Sequence, residues 1–254
     1  MKSILLSLPL LPLVSAGTVL WSGLFNEDFT VADFDTWSWS NQIPPYQWYI
    51  HGTAPTASYL AVSADSKNPN STLAGDAQGL RLTLDNTSSW NGQTMMRTEL
   101  IPQIEGDVDL GSGVVNYHFS LGVPDEIPGA ELEHQIAFFE SHFTELKYGG
   151  SDSTNLTFYA GGAAHYSIPL TAGVWYNFAY NIDFDAGSVS LYTSTGGDDL
   201  EQVVEGVSVD AQTNSADWHV GVLRLDNATP GVGGVEEWDW SGVRVEGGDV
   251  TLGV

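Results

Sequence analysis

The chain carries no helical period of any length. Short runs of alternating apolar and polar residues are instead separated by Gly, Asn, Asp, Ser and Pro, which predicts strands and tight turns throughout. The clearest runs are 79–85, 93–100, 113–122, 133–144, 155–160, 174–183, 188–194, 218–225 and 237–245. In the stretch 174–184, Tyr176, Phe178, Tyr180 and Ile182 fall on one face, with Asn177, Asn181 and Asp183 on the other. One side is therefore expected to meet a core and the other water. The sequence Asp183-Phe184-Asp185-Ala186-Gly187 that follows has the Asp and Gly of a hairpin turn, so antiparallel pairing is expected. Many strands at this spacing predict an all-β sandwich or jelly roll.

Residues 1–16 hold a lone Lys2, an apolar run from Ile4 to Val14, and Val14-Ser15-Ala16 with small residues suited to signal-peptidase cleavage. This predicts a secretory signal peptide and an extracellular protein. The run is too short to span a bilayer, and no membrane association is expected. Sequons at Asn70, Asn86, Asn155 and Asn227 agree with passage through a eukaryotic secretory route. Residues 17–254 are expected to form a single domain with a sizeable core. There is no cysteine, so disulfides and thiolate-metal sites are excluded.

The formal charge is -25, and without Lys2 the cations are Lys67, Arg81, Arg97, Lys147, Arg224 and Arg244 against 32 acidic residues. This balance repels nucleic acid and anionic polysaccharide at long range, leaving neutral substrates favoured. Acidity that merely keeps a secreted protein soluble explains it equally well. Arg97 is notable in so acidic a chain.

Two segments set ionisable groups in β-rich, aromatic sequence: Gln93–Leu100 and Glu133–Phe143. Side chains two apart on a strand share a face and lie about 6.5 to 7 Å apart, so Arg97 and Glu99 point together. By the same parity His134, Phe138, Glu140 and His142 share a face. Paired glutamates with an arginine and histidines beside them suit glycosidic-bond cleavage. Phe138, Phe139 and Phe143 are expected to desolvate Glu140 and raise its pKa, as a general acid requires, while Arg97 keeps Glu99 ionised as base or nucleophile. His219, directly after Trp218, is placed to hydrogen-bond substrate or hold a carboxylate. Trp37, Trp39, Trp48, Tyr46, Tyr49, Trp90 and Trp218 lie in polar or turn-like sequence and are candidates to line a cleft, where pyranose faces stack on flat rings; core packing is the competing explanation. His134 and His142 flank Glu140, but no third ligand stands at recognisable spacing, so neither a metal nor another cofactor is expected.

Trp37–Gln42, Tyr46–Gly52, Trp90–Met95, Arg97–Pro102, His134–Ile136, Phe138–Glu145 and Ala216–His219 together resemble glycoside hydrolase family 131, a fungal group, with likeness running from about Val19 to Val250. The resemblance implies a β-jelly-roll sandwich of antiparallel strands with an open substrate cleft. It implies hydrolysis of neutral β-glucans, with β-1,3, β-1,6 and β-1,4 linkages attacked, and inversion at the anomeric carbon. By motif, Glu99 and Glu140 match the catalytic carboxylates, and Arg97 and His219 match groups at the centre of the groove. Environment favours Glu140 as acid and Glu99 as base. With His219 as a third catalytic candidate, the expected substrate-binding set is Arg97, Trp48, Tyr49, Trp90, His134, His142 and Trp218. The chain departs from the pattern at Ala137, where a cysteine or similar small residue is expected.

Two alternatives stand beside this reading. Arg97-Thr98-Glu99-Leu100 followed by a Gln-Ile strand also resembles the family 7 alginate lyases, but Ala137 stands where the lyase has its histidine, and the cations are few for a polyuronate. A lectin-like glucan-binding module on the same fold is the other. No partner-binding segment stands out, and a monomer is expected.

Overall fold

The computed structural model describes residues 17–128, 130–150, 152–225 and 233–254. The leader expected over 1–16 and the sequon at Asn227 lie outside the described residues. The strands are β1 (Thr18–Ser22), β2 (Tyr46–Ile50), β3 (Leu60–Ser63), β4 (Gly79–Leu84), β5 (Met96–Pro102), β6 (Val114–Gly122), β7 (His134–Phe139) and β8 (Thr144–Gly149). They continue with β9 (Asp152–Ala160), β10 (Ala163–Pro169), β11 (Trp175–Asp183), β12 (Ser188–Thr195), β13 (Glu201–Ser208), β14 (Trp218–Arg224) and β15 (Glu236–Gly247). The helices among the described residues are three short 3-10 turns, and none is long and apolar enough to cross a membrane.

The strands form two sheets that pack as a jelly-roll β-sandwich. One sheet has the order β13-β12-β11-β6-β15-β4-β3, with β1 also paired to β15; the other runs β10-β9-β8-β7-β14-β5-β2. Neighbouring strands pair antiparallel, as the hairpin signals require. Between the sheets lies an aromatic core. Tyr117 and Phe119 of β6, Phe178 and Tyr180 of β11 and Trp240 of β15 meet Trp218 of β14 and Phe139 of β7 from the opposite sheet. Burying rings of this size contributes a large part of the apolar stabilisation, beside the buried Leu, Val and Ile side chains.

Sequence alternation locates most central strands but misses others. β1, β2, β3, β10 and β13 lie in stretches too short or too polar to show a period, and 133–144 is not one strand but β7 and the turn that leads to the first residue of β8. In β11, Tyr176, Phe178, Tyr180 and Ile182 do enter the core. The opposite face is not simply wet. Asn177 is buried because Asn68 covers it, and its side chain exchanges hydrogen bonds with Asn68, Ser120 and Ser194.

Candidate active site

Strand β14 runs between β5 and β7 and sets the site on the face turned away from the core. Thr98 bonds the Thr83 carbonyl on the opposite sheet, so Arg97 and Glu99, one residue to either side, point outward. On β14, Trp218 enters the core and His219 points out. Glu99 sits opposite Gly221, and a Cβ there would lie 2.4 Å from the Thr98 carbonyl and 2.5 Å from the Glu99 Cα. Glycine therefore leaves the room in which the Glu99 side chain lies beside His219.

Parity fails in β7. Ile136 and Phe139 both enter the core, although they are three residues apart. The alternation breaks at Ala137, whose φ is 49°, and the β7–β14 register shifts alongside it. His134 consequently points inward while Phe138 points outward, and the shared face expected for His134, Phe138, Glu140 and His142 does not exist. Glu140 follows the last residue of β7, and its backbone N–H donates to the Asp217 carbonyl at 3.0 Å.

A continuous hydrogen-bonded chain joins the outward groups. Arg97 donates from Nε and Nη2 to the two oxygens of Glu99, both at 2.7 Å. His219 contacts Glu99 Oε2 through Nδ1 at 2.5 Å and Glu140 Oε2 through Nε2 at 3.0 Å. Phe138 stacks on the imidazole at 4.3 Å and 10°, and His142 stacks on the far side of Phe138 at 5.0 Å. The plane of the central imidazole is thus fixed by packing as well as by two carboxylates.

Burial alone raises the Glu99 carboxyl, but the His219 charge and then Arg97 outweigh it and hold it below the usual range. Burial lowers His219, yet the Glu99 charge and the Glu140 hydrogen bond leave it above an ordinary histidine. Glu140 is held low, first by the His219 hydrogen bond. Its side chain is 73% exposed, so the phenylalanines do not desolvate it and the expected upward shift is corrected. Both carboxylates are thus held low and the imidazole between them is held high.

A surface cavity of about 380 Å³ opens here, lined in part by Trp48, Trp90, Gln93, Arg97, Glu140 and His219. The residue set expected from sequence thus divides. Glu140, His219, Arg97, Trp48 and Trp90 come together at the cavity, and Glu99 lies fully buried behind His219. Tyr46, Tyr49 and Trp218 belong to the core: Tyr46 donates to the Gly23 carbonyl, Tyr49 packs on Phe34, and Trp218 packs on Tyr117. His134 is fully buried on the opposite side of the sheet, paired with Glu236 at 2.9 Å. His142 pairs with Glu145 at 3.0 Å and is the outer ring of the stack, not part of the cavity wall. Among the described residues, no group of three or more His, Asp or Glu side chains is arranged to hold a metal ion.

The model of the glycoside hydrolase 131 catalytic N-terminal domain matches residues 19–251. The chain belongs to glycoside hydrolase family 131. It is similar to the crystal structure of the family 131 catalytic domain from Coprinopsis cinerea, at 50% identity and a TM-score of 0.85, over 94% of this chain and 98% of that one. It is likewise similar to a family 131 β-glucanase catalytic domain from Podospora anserina, at 48% identity and a TM-score of 0.86, over 93% of this chain and 99% of that one. A comparison with curated proteins found no match.

As a family 131 glycoside hydrolase, the protein is an enzyme acting on polysaccharide, and its cavity contains groups that sequence reasoning did not single out. Gln93 accepts from Arg97 Nη1 at 3.4 Å, while Asn214, Ala216 and Asp217 close one wall. Burial pushes the Asp217 carboxyl up, and Thr213 donates a hydrogen bond to it. Gln93 and Asp217 stand inside the quoted motifs, but amide and aspartate side chains beside turns carry no distinctive pattern. Asn214 comes from a loop with no local signal.

Proposed function

We propose that this family 131 enzyme is a β-glucanase that hydrolyses neutral β-glucans with inversion. The observation that carries the reading is the chain Glu99–His219–Glu140, which places an exposed carboxylate at the cavity and a buried one behind a single imidazole. The imidazole and its two hydrogen bonds set the facing oxygens on the order of 7 Å apart, within the range of about 6.5 to 9.5 Å typical of an inverting pair and beyond the about 5 to 5.5 Å of a retaining one.

Glu140 acts on the leaving-group oxygen. Its proton is stored on His219 in the resting enzyme. A sugar covering Glu140 removes water from it, favours the neutral carboxyl, and draws the proton across the Nε2 hydrogen bond. Glu99 is kept ionised by Arg97, the form a base needs. Both of its oxygens are engaged by Arg97 and His219, so turnover requires one of these contacts to yield an oxygen to the attacking water. Trp48 and Trp90 supply flat faces for the sugar rings.

Attack on β-1,3, β-1,6 and β-1,4 linkages, and export directed by residues 1–16, belong to the same proposal. The test is reducing-sugar release from laminarin and a mixed-linkage β-glucan, with the anomeric configuration of the fresh product followed by NMR. Release of the inverted anomer is expected. A retained anomer would remove the inverting mechanism, and no release from either glucan would remove the β-glucanase reading.

A further inference from the structure

Among the described residues, the exposed large hydrophobic side chains are five valines and one aromatic, Trp39, which is 58% exposed. Leaving an indole in water forgoes apolar burial, and this one is nevertheless held in place. Ser38 and Asn41 exchange backbone hydrogen bonds at 2.9 and 3.0 Å, closing the loop that carries it, and the Asn41 side chain donates to the Thr36 carbonyl. Trp37 anchors the same loop by donating from Nε1 to the Gln47 carbonyl on β2 at 2.8 Å. Trp39 meets Trp48 edge to face at 4.0 Å and 87°, and Trp48 lines the cavity with Glu140 and His219. The aromatic surface therefore continues from the catalytic groups across β2, the last strand of its sheet, to a fixed indole outside the cavity.

We propose that Trp39 is a remote subsite that stacks a glucosyl ring of the same chain whose scissile bond lies at Glu140, so that it sets the enzyme's preference for long over short glucans. The inference rests on the β-glucanase reading. A pyranose presents an apolar C–H face of the size of an indole, and a neutral chain is not repelled by a protein of formal charge -25. The neighbouring depression leads to the same loop: Asn214 and Ala216 line both it and the cavity, and Gln42 and Gln47 line its far side. Amides there suit sugar hydroxyls, as the indole suits the ring face.

The test compares Trp39→Ala and Trp39→Phe with wild type on long β-glucan chains and on the corresponding disaccharide, with thermal unfolding as a control. For Trp39→Ala, the ratio of kcat/KM on long chains to that on the disaccharide is expected to fall about tenfold, chiefly through KM, with Trp39→Phe recovering most of it. Equal losses on both lengths, or no loss on either, would overturn the subsite while leaving the β-glucanase reading intact. A wild type that cleaves neither substrate would overturn both. A variant with wild-type kinetics but altered self-association in sedimentation would identify the indole as a protein contact and also overturn the subsite.

Discussion

Glu140 and Glu99 have the same chemistry and opposite surroundings, and their substitutions are expected to separate accordingly. Glu140→Gln should lower kcat/KM on glucan by roughly 10²- to 10⁴-fold, because the proposed proton donor is lost, while an exposed side chain leaves thermal unfolding close to wild type. Glu99→Gln should lose activity to a similar extent and also unfold at lower temperature, since it leaves the buried Arg97 guanidinium without its carboxylate. Paired kinetics and melting curves check both. His219 gives a distinct signature. Its pKa is raised, so the proton proposed to feed Glu140 is present at low pH and lost as pH rises through the folded value. His219→Asn is expected to lower kcat and to remove the alkaline limb of its pH profile. At this scale the sequence was informative, because Arg97, Glu99, Glu140 and His219 are residue types that strands seldom carry without reason. Tyr49, Trp218 and His134 were misplaced because a ring or an imidazole satisfied inside the core has the same local sequence as one that faces a cleft.

Two backbone features of the central strands decide whether those side chains meet. Gly221 lets β14 lie against Glu99, and Gly221→Ala is expected to force β5 and β14 apart and abolish most activity in a protein that still shows β-sheet circular dichroism. Ala137 holds a left-handed φ, which turns Phe138 outward onto His219 and delivers Glu140 to the site. Ala137→Val should destabilise the protein by about 1 kcal/mol or more, because a β-branched side chain tolerates that conformation poorly, and Ala137→Gly should be neutral or stabilising. Denaturant unfolding of the two variants measures the difference. Alternation alone misses this, since a period of two has no way to signal one residue at which it breaks.

Over the molecule as a whole, the scarce cations among the described residues are engaged by the protein's own acceptors. Arg81, Arg97, Lys147, Arg224 and Arg244 each pair with carboxylates, and Lys67 donates to the Ser71 carbonyl. A surface so organised is expected to ignore polyanions, in keeping with a neutral substrate. The pairing also sets the response to acid. His118 is buried beside Arg244 and Glu246, and burial, with the Arg244 charge, pushes it down to about 4 despite the Glu246 carboxylate 3.3 Å away. Its folded pKa lies below its unfolded one, so the stability it contributes is present above about pH 6.5 and is lost as pH falls towards 4. Glu99, Glu236 and Glu246 are also held low, and their contribution is lost further down, below about pH 4.3. Melting temperature is therefore expected to fall in two stages on acidification, and His118→Gln to remove the first, as a pH series of thermal unfolding would show.

The amino-acid sequence by itself determined the all-β class, the central strands, the acidic balance, and the motifs in which Arg97, Glu99, Glu140 and His219 stand, because these depend on alternation, turn residues and composition within a few positions. Only the tertiary structure decided that Glu99 lies behind His219, that Glu140 is exposed, that His134 belongs to the core and that Trp39 packs on Trp48 outside the cavity. Those facts depend on strand order, on one left-handed residue in β7 and on a glycine opposite a glutamate, and such pairings join residues that are far apart in the chain.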